Sequence, residues 1–97
     1  LIEELGRDHP FLPAQTVRRI AKAYGTEARQ WLGRAQSWQD LGGEIAHGLS
    51  MAEVEWQIRE EWACTAEDVL WRRTKLGLRF SPEEVQKLKD IMANAKG

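Results

Sequence analysis

The chain has 97 residues, 42% of them hydrophobic and 30% charged, which suits one globular domain with a single modest core and excludes two independent domains. Lys and Arg number 14 against 15 Asp and Glu, and a net charge of −1 gives no bulk attraction to nucleic acid or an anionic membrane. A lone cysteine, Cys64, excludes an intrachain disulfide and points to a reducing compartment, and no apolar run approaches the ~20 residues of a membrane helix.

Residues 1–12 mix polar and apolar positions, end in DHPFL, and read as an entry loop. The start at Leu1, without an initiator Met, suggests a piece of something longer. Pro13 suits the first turn of a helix, where its missing N–H costs nothing. In AQTVRRIAKAYG, Val17, Ile20, Ala21 and Tyr24 share one helical face, Arg18, Arg19 and Lys22 project elsewhere, and Gly25 is the stop. A short second helix follows, with Thr26 as N-cap and Ala28, Trp31 and Leu32 inward, fading near Gly33.

SWQDLGGEIAHGL reads as a turn-rich connector; its glycines are too irregular for a dinucleotide fingerprint and no strand precedes them. SMAEVEWQIREEWAC opens on a capping box, Ser50 with Glu53, and places Met51, Val54, Ile58 and Trp62 on the apolar stripe, with Trp56 off it. A second box, Thr65 with Asp68, starts a helix carrying Ala66, Val69 and Leu70, with Arg73 at its polar edge and Gly77 as its end. The last helix has Ser81 as N-cap, Pro82 at N1 and Glu84 at N3, then Val85, Leu88 and Met92 with Ile91 beside them. The expectation is an all-α domain, a small orthogonal bundle of about five helices.

Little in this pattern points to catalysis. His9, His47 and Cys64 do not match a zinc spacing, and Asp40 and Glu44 flank two glycines that break any shared helical face. Glu53, Glu55, Glu60 and Glu61 make one helix acidic, while Arg72, Arg73 and Lys75 make the next one basic, so rim ion pairs between the two are expected. Asp68 and Arg72 are i,i+4 neighbours, and early acids with late bases suit the helix dipole.

The cluster Glu67, Asp68, Trp71, Arg72, Arg73, Lys75 therefore admits three readings: a self-satisfied polar helix end, a partner-docking face, or an arginine-rich anion site. Against the last, adjacent helical residues diverge by about 100°. Nucleic-acid binding is disfavoured, since neither helix-turn-helix spacing nor a continuous basic face exists. Trp31, Trp38, Trp56, Trp62 and Trp71 are many for this length; an aromatic left at the domain edge can anchor a partner.

The stretch EEWACTAEDVLWRRTKLGLRFSPEE resembles the C-terminal helical domain of the FAD-dependent glycerol-3-phosphate dehydrogenases, and weaker likeness at DHPFL and AKAYG extends it over nearly the whole chain. The resemblance implies that residues 1–97 are a C-terminal accessory (cap) domain of a larger flavoenzyme. Such a parent oxidises sn-glycerol 3-phosphate to dihydroxyacetone phosphate with FAD and passes electrons to quinone; a similar branch uses oxygen.

It further implies that FAD lies in an N-terminal portion outside this sequence and that the parent sits peripherally on the cytoplasmic side of the inner membrane. The fragment itself is then soluble, holds no catalytic, cofactor or metal residue, and binds no nucleic acid. Its partner is the parent's own FAD-binding domain, with Glu67, Asp68, Trp71, Arg72, Arg73 and Lys75 as structural or inter-domain residues. The alternative is a stand-alone helical protein-interaction module.

Overall fold

Residues 1–96 are described by the structure, a computed structural model; the side chains of Arg73, Ala95 and Lys96 lie outside the described set. Contrary to the entry loop expected, Ile2–Asp8 form a helix, α1, packed on α2. Its one buried residue, Leu5, gives no periodicity to read, but Glu3 and Glu4 in the first turn and Arg7 in the last complement the helix dipole.

Helix α2, Ala14–Tyr24, buries Thr16, Val17, Ile20 and Tyr24. Pro13 is its N-cap, with extended ψ of 150°, rather than a first-turn residue. Gly25, at φ +58°, ends it as expected. A 3-10 turn, Gly25–Glu27, then leads straight into α3, Ala28–Leu32, so Thr26 is not the N-cap expected of it; Glu27 holds that position.

The expected connector contains a 3-10 turn, Gln39–Leu41, and a short antiparallel hairpin, β1 Glu44–Ala46 and β2 Leu49–Ser50. His47 (φ +51°) and Gly48 (φ +83°) form its two-residue turn, where positive φ at both positions matches the twist of the strands. A Cβ on Gly48 would meet Thr16 Oγ1 at 2.5 Å, so this glycine also lets the hairpin approach α2.

Helix α4, Met51–Glu61, separates two buried clusters instead of lining the single core that chain length suggests. Trp56 packs into the first, with Leu5, Val17, Ile20 and Trp31. Val54 packs into the second, with Leu49, Val69, Leu70 and Leu88. A helix buried on two sides has no single stripe, which explains why the tryptophans exchange their expected places. Trp56 is 5% exposed, and Trp62 is 82% exposed. Trp62 caps α4 in the left-handed region (φ +60°, ψ 28°), off the helical path that would have carried it inward.

Helix α5, Ala66–Asp68, continues as a π-helical turn, Val69–Arg73, and α6 spans Pro82–Lys96. Leu88 and Met92 of α6 are buried and Val85 and Ile91 half-buried, as expected. The five expected helices are thus present, with α1 and the hairpin added, in a small orthogonal all-α bundle.

The tie between α2 and α4 is ionic. Glu53 is fully buried; Arg19 Nη1 donates to its Oε2 at 2.7 Å and Nη2 to its Oε1 at 2.9 Å. Tyr24 Oη donates to Oε2 at 2.7 Å and accepts from Gln57 Nε2 at 2.7 Å. Burial, with the Glu53 carboxylate beside it, pushes the Tyr24 hydroxyl far above its ordinary value, so it remains a donor. Glu53 therefore does not complete the capping box expected of it. Only the Ser50 half forms, with the Glu53 N–H donating to Ser50 Oγ at 3.2 Å.

Removing one partner of a buried ion pair leaves the other charge uncompensated, at a cost of about 3–5 kcal/mol, whereas apolar replacement of both is much milder. Glu53→Gln is expected to destabilise by about that amount in urea unfolding, and Arg19→Met/Glu53→Met to recover at least about half of it. A loss below about 1 kcal/mol for Glu53→Gln contradicts this account.

Candidate functional site

The capping box that opens the 65–80 stretch forms in full. Asp68 N–H donates to Thr65 Oγ1 at 3.1 Å, and Asp68 Oδ2 accepts from the N–H groups of Cys64 (2.9 Å) and Thr65 (3.2 Å). The other carboxylate oxygen meets Arg72 Nη2 at 3.4 Å, so one side chain serves both the cap and the i,i+4 pair. The N–H of Cys64, then that of Thr65 and the Arg72 charge, hold the Asp68 carboxyl below its ordinary range despite some desolvation.

The helix does not run to Gly77. Widening into a π turn brings Thr74 Oγ1 within 2.7 Å of Val69 O, to which it donates, and the same hydroxyl accepts from Leu76 N–H at 3.3 Å. Lys75 then takes the left-handed region at φ +54°. Gly77 matters for space: a Cβ there would collide with the Trp71 ring. Trp71 is thereby held over the domain edge, 53% exposed, and Leu78 beyond it is 89% exposed.

The sequence-predicted residues separate to different sides. Arg72 and Lys75 face a cleft whose other wall is α2, with Arg18, Arg19 and Lys22. Glu67 instead pairs with Lys89 of α6 at 3.7 Å, bordering a different depression that includes Cys64 and Met92. The Arg73 side chain lies outside the described residues. Of the acidic helix, Glu53 turns to Arg19 and Glu60 to Arg59 (3.2 Å), so for these two the expected rim pairing with the basic helix is replaced.

The histidines are placed by structure. His9 is buried and its Nδ1 donates to Ala35 O at 2.8 Å, and His47 Nε2 meets Glu84 Oε1 at 2.9 Å. Among the described residues no group of three or more His, Cys, Asp or Glu could hold a metal ion.

Sequence reasoning missed that Arg19, Tyr24 and Glu53 meet. The available signal was the spacing Ser50, Glu53, Val54, Gln57, a buried face whose polar members demand a partner.

Because the Asp68 carboxyl titrates below its ordinary 3.8 in the folded chain, its stabilising contribution is complete above that value and is lost as pH falls through the lower folded pKa. Unfolding of wild type and Asp68→Asn should therefore differ at neutral pH by an amount that closes at pH values below 3.8. A gap that persists undiminished in acid assigns the effect to packing instead.

The family described as the C-terminal domain of alpha-glycerophosphate oxidase matches residues 1–97. A glycerol-3-phosphate dehydrogenase of Pseudomonas aeruginosa is 39% identical over 88 residues, covering 91% of this chain and 17% of that protein. The aerobic glycerol-3-phosphate dehydrogenase of Escherichia coli K12 is 36% identical over 80 residues, 82% of this chain and 16% of its own length. A D-erythritol 1-phosphate dehydrogenase of Brucella abortus is 34% identical over 76 residues, 78% of this chain and 15% of its own. The chain thus spans about one sixth of the length of these curated relatives. With its whole length matched, the chain belongs to the family of the C-terminal domain of alpha-glycerophosphate oxidase.

Proposed function

We propose that residues 1–97 act as a non-catalytic accessory domain of an FAD-dependent enzyme that oxidises sn-glycerol 3-phosphate to dihydroxyacetone phosphate and passes electrons to quinone. The observation that carries this reading is the family match over the whole chain, together with relatives named for that activity. Gly42 and Gly43 lead into a two-stranded hairpin, so this glycine pair does not form the strand–turn–helix that cradles a dinucleotide. FAD would supply the two-electron chemistry from the part of the parent outside this chain.

The role of this domain is then to dock. Trp62, Trp71 and Leu78 expose large apolar side chains, and Trp62 holds a left-handed conformation that a bulky residue tolerates only at some cost in strain. In the proposed arrangement Trp71 anchors the contact with the parent's FAD-binding domain, and Arg72 or Arg73 adds an ion pair at its rim. None of the described helices is long and apolar enough to cross a membrane. A second reading, oxidation of a longer polyol phosphate, is favoured by the similarity to the D-erythritol 1-phosphate dehydrogenase.

The test compares the complete parent, its Trp71→Ala variant and the isolated chain for FAD retention and oxidation of glycerol 3-phosphate and erythritol phosphate. The expected outcome is activity in the parent, none in the isolated chain, and in the variant a loosened domain seen as faster proteolysis between domains. Catalysis by the isolated chain, or a variant unchanged in both activity and proteolysis, contradicts the proposal.

A further inference from the structure

Two adjoining clefts run between α2 and the turn that follows the π-helical segment. One encloses about 200 Å³ and has Arg79 and His47 on its rim; the other, about 490 Å³, opens toward Arg18, Lys22 and Arg72. They share Gln15, Arg19, Thr74 and Lys75, so they form one continuous concavity of the size that small ligands occupy.

Its charge is one-sided. The chain as a whole has more acidic than basic residues, 15 against 14, yet Arg18, Arg19, Lys22, Arg72, Lys75 and Arg79 line this concavity and, among the described residues, no carboxylate does. Two of these cations are compensated, Arg19 by Glu53 and Arg72 by Asp68. Among the described residues Arg18, Lys22, Lys75 and Arg79 form no ion pair. Like charges gathered around a concave, partly desolvated surface repel one another and concentrate a positive field there, which an anion relieves.

The walls are also pre-organised. Arg19 is pinned by its two hydrogen bonds to Glu53 and a third, at 3.1 Å, to Gly48 O. Thr74 is buried and bonded to its own turn, which places Lys75 at φ +54° over the shared part of the cleft.

We propose that this concavity binds the phosphate group of a small phosphoester or of a lipid headgroup. Donors stand on both walls: the Gln15 amide and Arg18 and Lys22 on α2, Arg72, Lys75 and Arg79 on the other. A tetrahedral phosphate group presents acceptor oxygens toward both walls at once. The proposal rests on this chain's own residues and stands whether or not the domain serves the enzyme proposed above.

The test is a backbone-amide NMR titration of the full 97-residue chain with inorganic phosphate, ionic strength held constant with sodium chloride. The expected result is saturable shifts at Gln15, Thr74 and Lys75. Binding should weaken by at least about fivefold in Lys75→Gln/Arg79→Gln, and not in Lys89→Gln, which removes a charge elsewhere on the surface.

A second arm measures sedimentation with vesicles of phosphatidylcholine alone or with added phosphatidylglycerol. Saturable phosphate binding without phosphatidylglycerol-dependent pelleting assigns a soluble phosphoester; pelleting that the double variant loses assigns a lipid headgroup. Shifts that fail to saturate or that Lys89→Gln weakens equally, together with pelleting that the double variant retains, or no response in either arm, overturn the proposal.

Discussion

The fold turns on one desolvated carboxylate. Glu53 has no access to water, and its two oxygens are satisfied by Arg19 and Tyr24, both from α2. Arg19 also reaches the hairpin through Gly48 O, and Tyr24 accepts from Gln57 one turn further along α4. Three elements are therefore registered by a single polar node. Such a node is unforgiving, since each buried group depends on all the others for its hydrogen bonds. It lies where α4 passes between the two apolar clusters, so the same contact that fixes α2 against α4 also fixes the first cluster against the second.

That placement has a consequence for the surface. Arg19 is held as a rigid, neutralised part of the wall, while Arg18 and Lys22 on the same helix keep their charge for the cleft. Opposite them, the π turn and the left-handed Lys75 bring a second set of cations forward. Without a fixed distance between α2 and the π-helical segment with the turn that follows it, those two sets would not face one concavity. The exposed Trp62, Trp71 and Leu78 lie on the part of the chain that follows α4.

What the sequence made legible was the local chemistry. The boxes at Thr65–Asp68 and Ser81–Glu84 depend on residues three apart, and both form. The apolar faces of α2 and α6 have one buried side each, so period alone finds them. Family membership was legible in the ordered run around Trp62–Gly77 rather than in any single side chain.

Two of the failures, at Glu53 and Trp56, share a cause: a contact distant in the chain overrode a sound local rule. Glu53 fitted a capping box, but Arg19 from 34 residues away claims its carboxylate. Trp56 fell off the stripe because α4 has two buried sides, and Gly77 was read as a stop when its missing side chain makes room for Trp71. Of the candidate site, Asp68 and its pairing with Arg72 were legible, whereas the meeting of Arg72 and Lys75 with α2 needed the tertiary fold.

The measurement that tests the polar node most directly is native-state amide hydrogen exchange of wild type against Glu53→Gln. If Glu53 couples the two clusters, protection falls together in α2, α4 and α6, although α6 touches none of the node's residues through a hydrogen bond described above. Loss of protection confined to α2 and the first turn of α4, with α6 unchanged, would show the clusters to be independent and contradict the account.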